Sequence, residues 1–200
     1  MNSKELQLII KCGETSTVQF KECFPNQDSI AAEMVAMSNA RGGMILFGIK
    51  DKTEEIIGLS YQEIQQLNSI LANIATNLLR PVIYIQTETV IVDERSLLIA
   101  HIAEGDNKPY KDLNGIIWTK QGEDKRKVME NSEIMRLFQC SGILYADEQP
   151  IPFTSEKDIN GYALDNFIRK EYGREKDSFG ILYTELLHNL HIMKEDRMTL

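Results

Sequence analysis

Glu14 lies five residues before Gln19, Lys21 and Glu22 follow, and further along come Asn39, Arg41, Gly42, Gly43 and Asp51. Carboxylates, amides and cations at strand ends and glycine turns can converge outside a sheet. Adjoining glycines also let another backbone or a phosphate group come close. On the residues alone the plainer reading stands ahead: the glycines make a helix-to-strand turn, Asp51 makes a β-turn, and Glu14 is a loop carboxylate. A second cluster is basic. Lys120, Lys125, Arg126 and Lys127 flank Glu123 and Asp124, and by charge this stretch reads as a solvated turn leading into a helix. His188 and His191, with Glu185 one turn earlier, have a spacing that could hold a metal from one helix face. No second ligand cluster is near in sequence, so two polar positions on an amphipathic helix is the favoured reading and no metal site is assigned. His101 lies among apolar strand residues and reads as structural. The chain has no GxxxxGK[ST] and no GxGxxG. Gly13-Glu14-Thr15-Ser16 has no Lys-Thr pair after it and follows a helix, so hydrolysis of nucleoside triphosphates by this chain is not expected.

These residues must be placed by the elements between them. Lys4 to Lys11 reads as a short helix with Leu6, Ile9 and Ile10 on one side, ended by Gly13. Val18 to Lys21 reads as a strand. Asn26 or Asp28 caps a helix whose face is Ile30, Met34 and Met37, widened by Ala31 and Val35. Arg41-Gly42-Gly43 stops it. Met44 to Ile49 is an interior strand, Asp51-Lys52-Thr53 a turn, and Ile56 to Leu59 a short edge piece. Tyr61 to Leu79 is the clearest helix, with Ile64, Leu67, Leu71, Ile74 and Leu78 on one face, Ser60 as cap and Pro81 as terminator. Val82 to Val92 and Ser96 to Ala103 form a hairpin about Asp93-Glu94-Arg95. Ile116 to Thr119 is a short strand and Asn131 to Gln139 a helix. The fold class is therefore α/β of the mixed α+β kind: a central mixed sheet with a β-hairpin, flanked by helices.

Beyond this domain, taken as residues 1–140, Pro150-Ile151-Pro152 marks a linker over 141–157. Helical segments at Ile159 to Tyr172 and Phe179 to Ile192 then make a small helical part over 158–200. That part reads as the start of a truncated following region. The chain has 200 residues, a net charge of −8 and a 42% hydrophobic share. No apolar run approaches the roughly 20 residues of a membrane helix. Cys12, Cys23 and Cys140 form an odd set without a CxxC pair, which fits a reduced, cytoplasmic setting. The acidic balance argues against non-specific coating of nucleic acid, which relies on clustered Lys and Arg, but leaves room for a local basic face.

In order, Glu14-Thr15-Ser16-Thr17-Val18-Gln19-Phe20-Lys21 resembles an E-S-x-x-x-E-F-K signature. Ala36 to Asp51 resembles A-F-A-N-x-x-G-G-x-L-x-x-G-V-x-D. Ile57-Gly58-Leu59, Lys108-Pro109-Tyr110 and Gly115 to Gly122 fall where the later pieces belong. Together they resemble the Schlafen-type, Alba-like DNA-binding domain. In bacteria that domain stands at the front of predicted transcriptional regulators with a divergent AAA-type ATP-binding region. The resemblance covers about Lys4 to Phe138 and implies a mixed α/β fold with nucleic acid as partner, DNA ahead of RNA. It also implies that a nuclease version would use three acidic residues. Glu14 matches the first and Asp51 the third, whereas Gln19 stands where the second glutamate is expected. Cleavage assisted by a divalent metal needs carboxylate charge to hold the cation and lower the pKa of its water. Binding without efficient cleavage is therefore expected, and no cofactor is expected in this fragment unless it is a nuclease.

Three functions follow, in order. The first is a nucleic-acid-binding module of a transcriptional regulator, with Lys21, Arg41, Lys120, Lys125, Arg126 and Lys127 on phosphates and Gly42-Gly43 allowing close approach. The second is a homo-oligomerising or signal-transmitting domain whose strands pair across subunits. The third is a metal-dependent endoribonuclease with Glu14 and Asp51 catalytic. The first needs the early loop and the double-glycine corner to meet on one surface that includes both Lys21 and Arg41.

Overall fold

The computed structural model describes residues 1–23, 26–50, 53–145 and 147–199. It divides into two compact units, Met1–Ser141 and Gly142–Leu200.

In the first unit, helix α1 (Ser3–Cys12) starts at a capping box in which Asn2 and Glu5 exchange side-chain and backbone hydrogen bonds. Gly13, at φ +77°, ends it. Strand β1 (Val18–Lys21) leads to α2 (Gln27–Asn39). Helix α2 is buried on every side from Ile30 to Asn39. The one-sided stripe expected for it is really a core helix, narrow enough through its Ala and Ser positions to be surrounded. Strand β2 (Gly43–Phe47) follows. Helix α3 (Tyr61–Asn73), capped by Ser60 and Glu63, buries Ile64, Leu67 and Leu71 and runs into one π-helical turn, Ile74–Leu78. Strands β3 (Leu79–Arg80), β4 (Ile85–Val92) and β5 (Arg95–Ile102) come next. The β4–β5 turn is Asp93-Glu94, both at positive φ, the twist a two-residue hairpin turn requires. Strands β6 (Lys111–Asp112), β7 (Trp118–Gln121) and β8 (Asp124–Lys127) precede helix α4 (Asn131–Cys140).

The main sheet has the order β1-β2-β5-β4, with β1 parallel to β2 and the other pairs antiparallel. It is the mixed sheet with a hairpin that the sequence implies. Ile45 and Phe47 of β2 face the cluster formed with α2 and α3, together with Leu98 and Ala100 of β5. Leu46 faces the other way, with Phe20, Leu97 and Ile99, under Leu6 and Ile10 of α1. This alternation is the period-two rule of a strand covered on both sides.

Three local expectations change. The basic stretch is no solvated turn before a helix: Lys125, Arg126 and Lys127 form β8, paired with β7 in the register Trp118↔Lys127 to Gln121↔Asp124. The strand expected to reach Ile49 stops at Phe47, because Gly48 turns the chain at φ +97°. In the second unit, α5 (Gly161–Tyr172) is as expected, but α6 is only Tyr183–Asn189. His191 lies beyond it at φ +57°, so His188 and His191 do not share a helix face.

The second unit closes with the hairpin β9 (Met193–Lys194) and β10 (Arg197–Met198) around a core of Leu164, Ile168, Leu186, Leu187 and Met193. Ile151 N–H donates to Met198 C=O at 2.7 Å, and Met198 N–H donates to the Thr154 hydroxyl at 3.0 Å. Part of the stretch read as a linker is thus bonded to this hairpin. Among the described residues no helix is long and apolar enough to cross a membrane.

Candidate functional site

Paired residues of an antiparallel ribbon point to the same side, so Lys120 and Lys125 share one face of the β7–β8 hairpin and Thr119 and Arg126 the other. The first face meets α2. Glu33 accepts hydrogen bonds from Lys120 Nζ at 2.7 Å and Lys125 Nζ at 3.2 Å. The side chains of Glu33 and Lys120 are each 2% exposed. A carboxylate so far from water has to be paired, and two ammonium groups do it here. At the hairpin turn the Glu123 carbonyl accepts from Lys120 Nζ and, at 2.9 Å, from Gln19 Nε2. Gln19 also donates to Val18 C=O at 3.3 Å and is buried.

The end of α2 is locked just as closely. Asn39, buried, donates through Nδ2 to Tyr110 C=O at 2.9 Å and Trp118 C=O at 2.8 Å, while its Oδ1 accepts from Tyr110 N–H at 2.8 Å. Lys108 Nζ donates to Ala40 C=O at 3.0 Å and pairs with Glu104 at 2.6 Å. A Cβ on Gly42, at φ +74°, would stand 2.7 Å from both Glu104 N and Ile102 O, and one on Gly43 would stand 2.6 Å from Thr17 O. Of the two close approaches that glycine permits here, another backbone or a phosphate, the chain's own backbone occupies the first.

A cleft of about 300 Å³ opens beside this corner. The α2 end contributes Asn39 and Arg41, the hairpin Thr119, and α4 contributes Glu133, Arg136 and Leu137. Arg41 and Arg136 are exposed, and among the described residues neither guanidinium group makes a hydrogen bond or ion pair. Arg126, on the cleft side of the hairpin, is instead committed to Glu133, with Nη1 donating at 2.9 Å and Nη2 making a second bond. Those bonds hold the Glu133 carboxyl below the usual carboxylate range, with lesser help from the charges of Arg126 and Arg136, and raise the Arg126 guanidinium.

The nominated residues therefore separate. Lys120 and Lys125 bind Glu33, and Arg126 binds Glu133. Lys127 is exposed, its Nζ 5.5 Å from the centre of the Trp118 ring. Glu14 accepts from Phe20 N–H at 2.7 Å, and Lys21 Nζ donates to Phe20 C=O at 2.6 Å. Asp51 lies outside the described residues. The early loop does meet the double-glycine corner, at Thr17, whose carbonyl accepts from Met44 N–H at 2.8 Å. Lys21 and Arg41 stand toward opposite ends of β2. Lys21 pairs with Phe47 while Arg41 precedes Gly43, so the length of β2, about 13 Å at the strand rise, comes between them. Glu33 and Arg136 were missed from sequence. Glu33 is the one acid in the apolar run of α2, a signal that could have been read. Arg136 had none, since its place beside Arg41 depends on how α4 docks.

A curated relative, an uncharacterized ATP-binding protein of Ureaplasma parvum serovar 3, is 29% identical over 198 residues, which is 96% of this chain and 46% of that protein. The chain thus spans less than half the length of that relative. Among solved structures, the DIP2311 protein of Corynebacterium diphtheriae matches with a TM-score of 0.51 at 20% identity, over 98% of this chain and 42% of that one, and shares the fold. The N-terminal domain of a RecG-related protein from Nitrosomonas europaea matches with a TM-score of 0.47 at 18% identity, over 66% of this chain and 96% of that one. Residues 14–130 match the family described as Schlafen, AlbA_2. That span runs from the Glu14 loop through the β7–β8 hairpin to the start of α4, and on it the chain belongs to the Schlafen, AlbA_2 family.

Proposed function

We propose that the first unit binds the sugar–phosphate backbone of nucleic acid, DNA ahead of RNA, at the cleft between the α2 end and α4. The observation that carries this is the pair of exposed guanidinium groups, Arg41 and Arg136, that line one cleft. Guanidinium forks suit phosphate geometry. Lys120, Lys125 and Arg126 support the hairpin in this reading, because each is hydrogen-bonded to a carboxylate of the same unit, the two lysines sharing Glu33 and Arg126 holding Glu133. Lys21 sits apart from this cleft. The acidic balance of the chain makes the binding local and salt-sensitive. In a longer cytoplasmic protein the unit would supply the nucleic-acid contact of a transcriptional regulator.

Strand cleavage is not part of the proposal. A metal-assisted nuclease of the family pattern relies on carboxylate charge at position 19, and the Gln19 amide there is neutral and spends its hydrogens on the Val18 and Glu123 carbonyls.

Fluorescence anisotropy with short labelled DNA duplexes, DNA single strands and RNA of the same sequence tests the proposal. Binding should weaken with salt along a log–log slope of about −2 on duplex DNA, two phosphates being neutralised. Arg41→Ala and Arg136→Ala should each lower that slope by about 1. No anisotropy change at low salt, or binding that survives the double substitution unchanged, would overturn it. A stronger response to RNA would reverse the order of ligands.

A further inference from the structure

The two edges of the main sheet are finished differently. At β1 the outward backbone groups are taken up locally: Phe20 N–H by Glu14 at 2.7 Å, Phe20 C=O by Lys21 Nζ at 2.6 Å, and Val18 C=O by Thr15 N–H at 2.9 Å. That edge is closed by its own loop. At the opposite edge, β4 is paired to β5 along its whole length, and among the described residues no other strand lies beside it. Its sequence, Ile-Gln-Thr-Glu-Thr-Val-Ile-Val, is rich in β-branched residues and has no Lys, Arg or Pro. Charge, proline and bulges are what blunt a free edge, and only Glu88 is charged here. Even that charge is answered within the chain, by the Met1 ammonium at 2.9 Å and His101 Nε2 at 2.8 Å. Helix α1 covers one face of β4 through Val90 and Val92, while Thr87, Thr89 and Ile91 on the other face are exposed.

We propose that β4 pairs antiparallel with β4 of a second copy of this chain, joining two four-stranded sheets into one. With the β1 edge closed by its own loop, two copies joined through their main sheets meet β4 to β4, a self-complementary contact that closes as a twofold dimer. A twofold axis normal to the sheet keeps each face continuous, so only residues of the same face stand opposite each other. Centring on Glu88 would set two carboxylates face to face and is disfavoured. Centring on Thr89 sets Thr89 against itself, Thr87 against Ile91 of the second copy, and Glu88 against Val90 of the second copy. This register engages Gln86 to Val92 and extends the exposed β-branched row across the junction. The inference stands apart from the proposed nucleic-acid cleft, none of whose lining residues is in β4.

Light scattering coupled to size exclusion on the whole chain tests it, together with amide exchange. The mass should rise with concentration from 22.9 kDa toward its double, and the amide protection of β4 should rise with it. Thr89→Lys brings two ammonium groups together at the axis, so it should return the mass to that of a monomer with melting temperature and circular dichroism unchanged. Thr89→Val should favour the dimer. A monomer at every concentration from micromolar to millimolar would overturn the inference. A dimer unaffected by Thr89→Lys, or one whose protection appears away from β4, would do so equally.

Discussion

Gln19 keeps the outline of the glutamate that the family signature expects but reverses the hydrogen-bond role of one terminal atom. Its Nε2 donates to the Glu123 carbonyl at the hairpin turn, in a buried site. Restoring the carboxylate by Gln19→Glu would set acceptor against acceptor there and strand a buried charge. The expected cost is about 1–3 kcal/mol, measured by urea denaturation, with no gain of manganese-dependent RNA cleavage. Glu33 works the other way. Its loss leaves the buried Lys120 ammonium without a carboxylate, and Lys125 with it. Glu33→Ala is expected to destabilise by about 3–5 kcal/mol, the usual penalty for breaking a buried ion pair from one side, and the same titration measures it.

At the level of elements, α1 is held along β4 by contacts just before its start and at its middle. The Met1 ammonium pairs with Glu88, and Gln7 Nε2 donates to Asp93 at 3.1 Å. The hydrogen bond from the Met1 ammonium, followed by that from His101, holds the Glu88 carboxyl below its ordinary range. The same bond to Glu88 raises the amine. A depressed carboxyl contributes stability above its unfolded pKa and loses it as pH falls through the folded value. A raised amine contributes below its unfolded pKa and loses it as pH rises through the folded value. The clamp is therefore strongest between the two ranges. The protection factors of the α1 amides, with the intrinsic pH dependence divided out, should be highest near neutral pH and fall toward both extremes. In Glu88→Gln this protection and both of its flanks should be lost.

For the whole molecule, the burial pattern makes each unit self-sufficient. The two clusters that sandwich the main sheet lie wholly within Met1–Ser141, and the third lies wholly within Gly142–Leu200. A fragment of residues 1–141 should therefore fold with a cooperative thermal transition and keep the native near-ultraviolet signal of Trp118, whose indole N–H donates to Asp112 at 2.8 Å. Loss of that signal in the fragment would show that the first unit depends on the second. The fragment should also keep the nucleic-acid response of the whole chain, since both cleft arginines belong to it.

The amino-acid order by itself determined the parts with strong local signals. Ser60 caps α3, Gly13 ends α1, Pro81 follows the last turn of the α3 region, and alternation marks β4. These signals act between near neighbours, so no knowledge of the rest of the chain is needed to read them. The signature from Glu14 to Asp51 also identified the family before any fold was known. Only the tertiary structure decided what the charges do. Lys120, Lys125 and Arg126 looked like one basic run, yet strand pairing sends the first two toward Glu33 and the third toward Glu133. Arg41 and Arg136 were 95 residues apart in the chain and meet on one cleft. Charge pairing over such separations is set by register and docking, and neither leaves a local mark in the order of residues.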